Sequence, residues 1–250
     1  MAGILDGKVA LVTGAGRNIG RAIALHLARD GATVVVNGRS DRAAVEAVAG
    51  EITAMGGRAL AHLADVSDAE AVARMTDAVA AEFGGIDIAV ANAGLRRQTP
   101  FLDISLDEWR EILSVALDGA FILAQAVVPH MIRRGGGAIV ALSGISTHIG
   151  TPNRAHVAAS KAGLEGLMRA LSVELAPQNI RCNCVSPGTI DTLRGAAAGA
   201  LPPTHGDSSV PLRRKGTADE IAAMVRLLAG PDGGYVTGQT IHVNGGAFLT

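Results

Sequence analysis

Apolar positions along this chain follow two alternating rhythms. Short runs rich in Val and Ile ("KVALVT", "TVVVNG", "ALAHLAD", "IDIAVANAG", "GAIVALS", "IRCNCVSP" and "GQTIHVNGG") are separated by longer stretches with apolar residues at helical spacing. The pattern predicts helices from about Arg17, from Asp41 to Met55, from Asp68 to Phe83, from Leu106 to Arg133, from about Asn153 to Ala176, and from Ala218 to Leu228. Strand and helix alternating in this way predict an α/β fold: one doubly wound, seven-stranded parallel sheet with helices on both faces. Residues 188–216 hold scattered Gly and Pro without sustained periodicity, and we read them as a lid over the carboxyl ends of the strands.

Length and composition narrow this picture. With 250 residues the chain suits a single domain spanning residues 1–250, and 48% hydrophobic residues against 2% aromatic imply a core of Ala, Val, Leu and Ile. The 22 basic and 23 acidic residues nearly cancel, so no global field steers the chain to nucleic acid or an anionic membrane. The expected partner is a small-molecule substrate. No basic leader precedes the first apolar run and no run of about 18 apolar residues is evident, so the expectation is a cytoplasmic protein without membrane insertion. Cys182 and Cys184 lie two apart in a predicted strand, a spacing that suits neither a disulfide nor a metal site, and they read as buried thiols.

Candidate chemistry starts at "TGAGRNIG", Thr13 to Gly20, between the first strand and first helix. Gly14, Arg17, Asn18, Ile19 and Gly20 form a turn whose open N–H groups can hold a pyrophosphate. A glycine pattern alone is not specific, because many strand-to-helix turns need Gly for steric reasons. Further strand-end motifs follow in order: "ADV" with Asp65 and Val66, "ANAG" with Asn92, Ala93 and Gly94, and "SPGTIDT" with Pro187, Gly188, Ile190 and Thr192. With these motifs the chain resembles the short-chain dehydrogenase/reductase family over nearly its whole length, in particular its 3-oxoacyl-carrier-protein-reductase-like branch. The resemblance implies a Rossmann fold, a nicotinamide cofactor held by these residues and Lys161, and a homotetramer. Asn18 stands where the family usually has Gly, a substitution that a left-handed turn tolerates. The second strand ends in Asn37 rather than the acid that holds a ribose in NAD-using relatives, followed by Arg39 and Ser40. Arg39 and Arg17 can converge on a 2′-phosphate, which favours NADP(H) over NAD(H), unless Arg39 is only a solvated loop residue.

The family's proton-transfer set is where the chain departs from the pattern. In "RAHVAASKAGLEG", Lys161 matches the family Lys, but Val157 stands at the Tyr position and the single tyrosine of the chain is Tyr235. Gapless counting puts Gly144 at the Ser position and Ala116 at the Asn position. Candidate replacements are Ser143 beside Gly144 and His148 on the same loop, with His156 expected to face a packed helix and His205 on the lid. Arg96 and Arg97 follow "NAG" on the same rim, either to meet a substrate anion or as a solvated pair. Three functions remain open: an oxidoreductase with an atypical proton donor; a cofactor-binding pseudoenzyme, possibly beside a homologous active subunit; and a non-redox enzyme reusing the pocket. An apolar wall in place of the missing Tyr would favour the second.

Overall fold

Every predicted strand pairs in one sheet. The computed structural model describes residues 3–193 and 210–250. The strands are β1 (Val9–Val12), β2 (Thr33–Gly38), β3 (Arg58–Leu63), β4 (Ile88–Ala91), β5 (Gly137–Leu142), β6 (Ile180–Pro187) and β7 (Thr240–Val243). They lie in the order β3-β2-β1-β4-β5-β6-β7, and every neighbouring pair is parallel. Side-chain alternation explains the layers. In β1, Ala10 and Val12 point to a core shared with helices α1 (Asn18–Arg29), α2 (Arg42–Ala54) and α8 (Ala218–Ala229). Val9 and Leu11 point the opposite way, to α3 (Ala69–Phe83), α5 (Gly119–Arg133) and α7 (Ala155–Glu174). Cys182 and Cys184 share that second core as free, buried thiols, and burial pushes both up to about 12.

The stretch predicted as one helix from Leu106 to Arg133 is α4 (Leu106–Leu113), a π-helical turn (Ser114–Asp118) and α5. Such turns are common at functional sites, and this one carries Ala116. A short helix α6 (Ser146–Ile149) was not predicted. It follows β5 within the segment that bears Gly144.

Helix starts fall into two groups. Asp41, Asp68, Ser105 and Thr217 cap α2, α3, α4 and α8 through their side chains. Arg17 and Arg154, at the N-caps of α1 and α7, make no side-chain cap bond, and neither does the start of α5, which continues the π-helical turn, or of the four-residue α6. The α1 and α7 starts border the cleft described below. Of residues 188–216, a bridge between Ile190 and Gly216 is described, while residues 194–209, including His205, lie outside the described residues.

Candidate active site

The sheet order reverses between β1 and β4, and a cleft of about 430 Å³ opens there at the carboxyl ends of the strands. The β1–α1 turn lines one side with Gly14 and Arg17–Gly20, and the ends of β4 and β6 add Asn92–Arg96 and Pro187–Ile190. Two glycines in the turn are sterically required. Gly14 has φ +61°, and a Cβ on Gly20 would lie 2.3 Å from the Gly14 carbonyl oxygen. The Asn92 amide donates to the carbonyl oxygens of Thr13 and Gly14 at 2.9 and 3.0 Å, which ties the ends of β1 and β4 together. Asn18 adopts φ +52°, as its residue type allows, and exchanges two hydrogen bonds of 3.0 Å with the backbone of Leu193. An uncapped helix start behind a turn with no room for side chains fits a pyrophosphate.

The adenosine end of the predicted site lies beyond the cleft lining. Exposed Arg39 sits near Asp65. Burial opposes the Asp65 carboxylate, but hydrogen bonds from Ser67 and the charge of Arg39 hold it below its usual range. Val66 is buried and Ser40 exposed. The expected role of Asn37 needs correction. Strand alternation turns it toward the face of Val35, where it is buried and donates to the Ala64 carbonyl oxygen at 3.1 Å. The position facing the other way is Gly38. Neither residue is acidic.

At the opposite end, Leu142–Ser146 and the first turns of α7 line the cleft through Ser143, Gly144, Arg154, Val157 and Lys161. Val157, four residues before Lys161, lines the cleft, and a Cβ added at Gly144 would meet nothing within 4 Å. Ser143 is 7% exposed, and its hydroxyl has no hydrogen-bond partner among the described residues. The Lys161 ammonium donates to the Leu142 carbonyl oxygen at 2.6 Å. Burial lowers it to about 8, and the nearby Arg96 adds to the effect.

His148 and His156 lie elsewhere. His148 is absent from the cleft lining: its Nε2 meets the buried Glu165 carboxylate at 3.0 Å and its ring packs on His242 and Phe248. His156 faces α4, as expected, with Nε2 2.9 Å from Glu108. Arg97 is bound to Glu111 at 2.7 Å, whereas Arg96 lines the cleft and donates to Thr192 at 3.1 Å. Arg154 had been given no role. Its only sequence signal is position, three residues before Val157 and seven before Lys161, on one helical stripe. No group of three or more metal-ligating side chains occurs among the described residues.

Known proteins share this architecture throughout. A family profile described as enoyl-(acyl carrier protein) reductase matches residues 14–247. The 3-oxoacyl-(acyl-carrier-protein) reductase FabG of Staphylococcus aureus is 40% identical over 242 residues, covering 97% of this chain and 98% of its own. A short-chain dehydrogenase from Burkholderia cenocepacia, solved in complex with NADP, superposes with a TM-score of 0.89 at 37% identity, covering 97% of this chain and 98% of its own. A 7α-hydroxysteroid dehydrogenase solved with NADH and 7-oxo glycochenodeoxycholic acid superposes at 0.90 with 33% identity, covering 97% and 94%. With the sheet order, the glycine turn and the strand-end motifs all in agreement, the chain belongs to the short-chain dehydrogenase/reductase family of oxidoreductases, in its 3-oxoacyl-carrier-protein-reductase-like branch.

Proposed function

We propose that the protein interconverts a carbonyl and an alcohol with NADP(H), using Ser143 and Lys161 in place of a tyrosine-centred set. The observation that carries this reading is the Ser143 hydroxyl, buried without a partner among the described residues in the same cleft as the Lys161 ammonium. An unsatisfied buried hydroxyl costs about 1–3 kcal/mol, and a substrate oxygen entering the cleft relieves that cost. When bound, the nicotinamide supplies the hydride. Ser143 donates a hydrogen bond to the carbonyl oxygen, and Lys161 holds the proton that this oxygen takes up. Near 8, Lys161 is protonated at neutral pH yet surrenders its proton far more readily than an unburied amine. Its three donors also allow it to hold the ribose hydroxyls, as the family resemblance implies.

Several residues support NADP(H). No acid occurs from Asn37 to Ser40, while Arg39 and Arg17 are exposed beside the turn. The NADP complex of the Burkholderia relative agrees with this reading, whereas the steroid dehydrogenase was solved with NADH, so the preference rests on these residues rather than on the family. Arg39→Ala is expected to weaken NADP(H) binding about tenfold or more and to leave NAD(H) binding unchanged, as read by calorimetric titration. Val157, Gly144 and Ala116, at the positions the resemblance gives to Tyr, Ser and Asn, favour a pseudoenzyme, but the wall around Val157 weighs against it. That wall carries Ser143, Arg154 and Lys161 and is not apolar.

The deciding experiment follows NADPH oxidation by the purified protein with a panel of ketones and oxo esters. Ser143→Ala is expected to lower kcat by ~10²–10³, and Lys161→Met by ~10²–10⁴ with weaker cofactor binding. If NADPH binds and no carbonyl is turned over, the pseudoenzyme reading replaces this one.

A further inference from the structure

The substrate end of the cleft has an unusual charge. Arg154, Lys161 and Arg96 all line it, and its described lining contains no Asp or Glu. Arg17 belongs to the turn that would hold the pyrophosphate, but Arg154 does not. Arg154 lies at the start of α7, about 10 Å along the helix from Lys161, with Val157 between them. It is only 8% exposed, so its guanidinium is fixed at the wall rather than waving in solvent. Arg96 enters from the β4 end, close enough for its charge to act on Lys161. Arg97, beside it in sequence, is committed to Glu111 and plays no part.

Three cations along one wall give this end of the cleft a positive field that favours an anion over a neutral ligand. Guanidinium groups match the planar, two-oxygen geometry of a carboxylate. Beside them is Ser143, a buried hydroxyl without a partner among the described residues, suited to an oxygen acceptor. A ligand with a carboxylate at one end and a carbonyl or hydroxyl at the other satisfies both requirements within a cleft of this size.

We infer that the substrate is a small oxo acid, or the corresponding hydroxy acid, whose carboxylate is held by Arg154 and Arg96 while its reacting oxygen lies at Ser143 and Lys161. The second half of this assignment rests on the oxidoreductase reading; the carboxylate subsite does not.

The test uses the protein saturated with NADP+, so that binding is measured without turnover. Acetoacetate and pyruvate are each titrated by calorimetry against their methyl esters, which keep the oxo group and lose the charge, and against inorganic phosphate. At least one acid is expected to bind ten times or more tighter than its ester. Arg154→Gln and Arg96→Gln should each reduce that ratio toward one, and Arg154→Lys should keep part of it. Ester binding and NADP+ affinity should not move, which shows that the variants fold. If Arg154→Gln fails to fold, the acid-to-ester ratio of the unaltered protein and of Arg96→Gln decides the matter. Equal binding of acid and ester in both pairs overturns the inference. So does phosphate binding tighter than either acid, which assigns the subsite to a phosphate ester instead. Reduction assays with NADPH separate the two readings. Arg154-dependent acid binding without any turnover keeps the subsite and removes the oxidoreductase, whereas reduction of the esters as fast as of the acids does the reverse.

Discussion

Lys161 gives the proposed chemistry a measurable signature. Reduction needs its protonated form, so kcat/KM for a ketone should be level below pH about 8 and fall tenfold per unit above it. Oxidation of the alcohol needs the neutral amine and should rise through the same value. Initial rates in both directions across this range check the assignment; a reduction profile still level well above 8 would remove Lys161 as the proton donor. Residue identities could be read from the sequence, but side-chain directions often could not. Asn18 was legible because a left-handed turn at that spacing admits few residue types, and it has φ +52°. Asn37 was not, because its burial depends on which face of β2 it occupies and on the β3 edge beside it. Burial of Glu165 beside His148 depends on a contact across 17 residues that no local pattern signals. Arg154 carried no signal beyond its position, since nothing in the sequence states that a helix end is buried.

At the scale of elements, the three positions that the resemblance gives to Asn, Ser and Tyr have room for the family side chains to be tried. The π-turn at Ser114–Asp118 holds Ala116, the space beside Gly144 is open, and Val157 lines the cleft. Introducing Val157→Tyr, Gly144→Ser and Ala116→Asn together should therefore raise reduction of a generic ketone by about 10² or more. They are tested as one variant, because groups that act as a unit are strongly non-additive. Ala116 is buried, so the added amide also risks an overpacking cost of about 1–3 kcal/mol, read as a lower unfolding midpoint. A stable triple variant that binds NADPH without any gain in rate would show that the frame has moved. Most element boundaries were legible because caps are local chemistry: Asp41, Asp68 and Thr217 each start a helix where the pattern predicts one. The π-turn was hidden because one extra residue hardly disturbs the apolar rhythm on either side. The caps missing at α1 and α7 were legible only as Arg in place of Ser, Thr, Asp or Asn, and both mark the cleft.

The whole molecule leaves an apolar surface that its own fold does not cover. The most apolar 18-residue window of Leu106–Arg133 has a mean hydropathy of 1.8, so by length and composition alone the stretch could cross a membrane. In the fold this stretch packs α4 against α7 and α5 against α3 and the sheet, yet only 39% of its most apolar window is buried. Leu106, Phe121 and Ile132 are exposed along it, and Val173 is exposed on α7. Exposed apolar surface of this extent marks an interaction site. We propose that further copies of this chain cover it, as the family resemblance implies, in a homotetramer built across two-fold axes. Because a two-fold interface uses the same patch twice, one introduced charge meets its own copy. Phe121→Glu should therefore break the assembly into smaller species in sedimentation at micromolar concentration, while NADPH still binds at a cleft built within each chain. If the unaltered protein sediments as a monomer under the same conditions, self-association is excluded, and the uncovered face of α4 and α5 must meet a different partner.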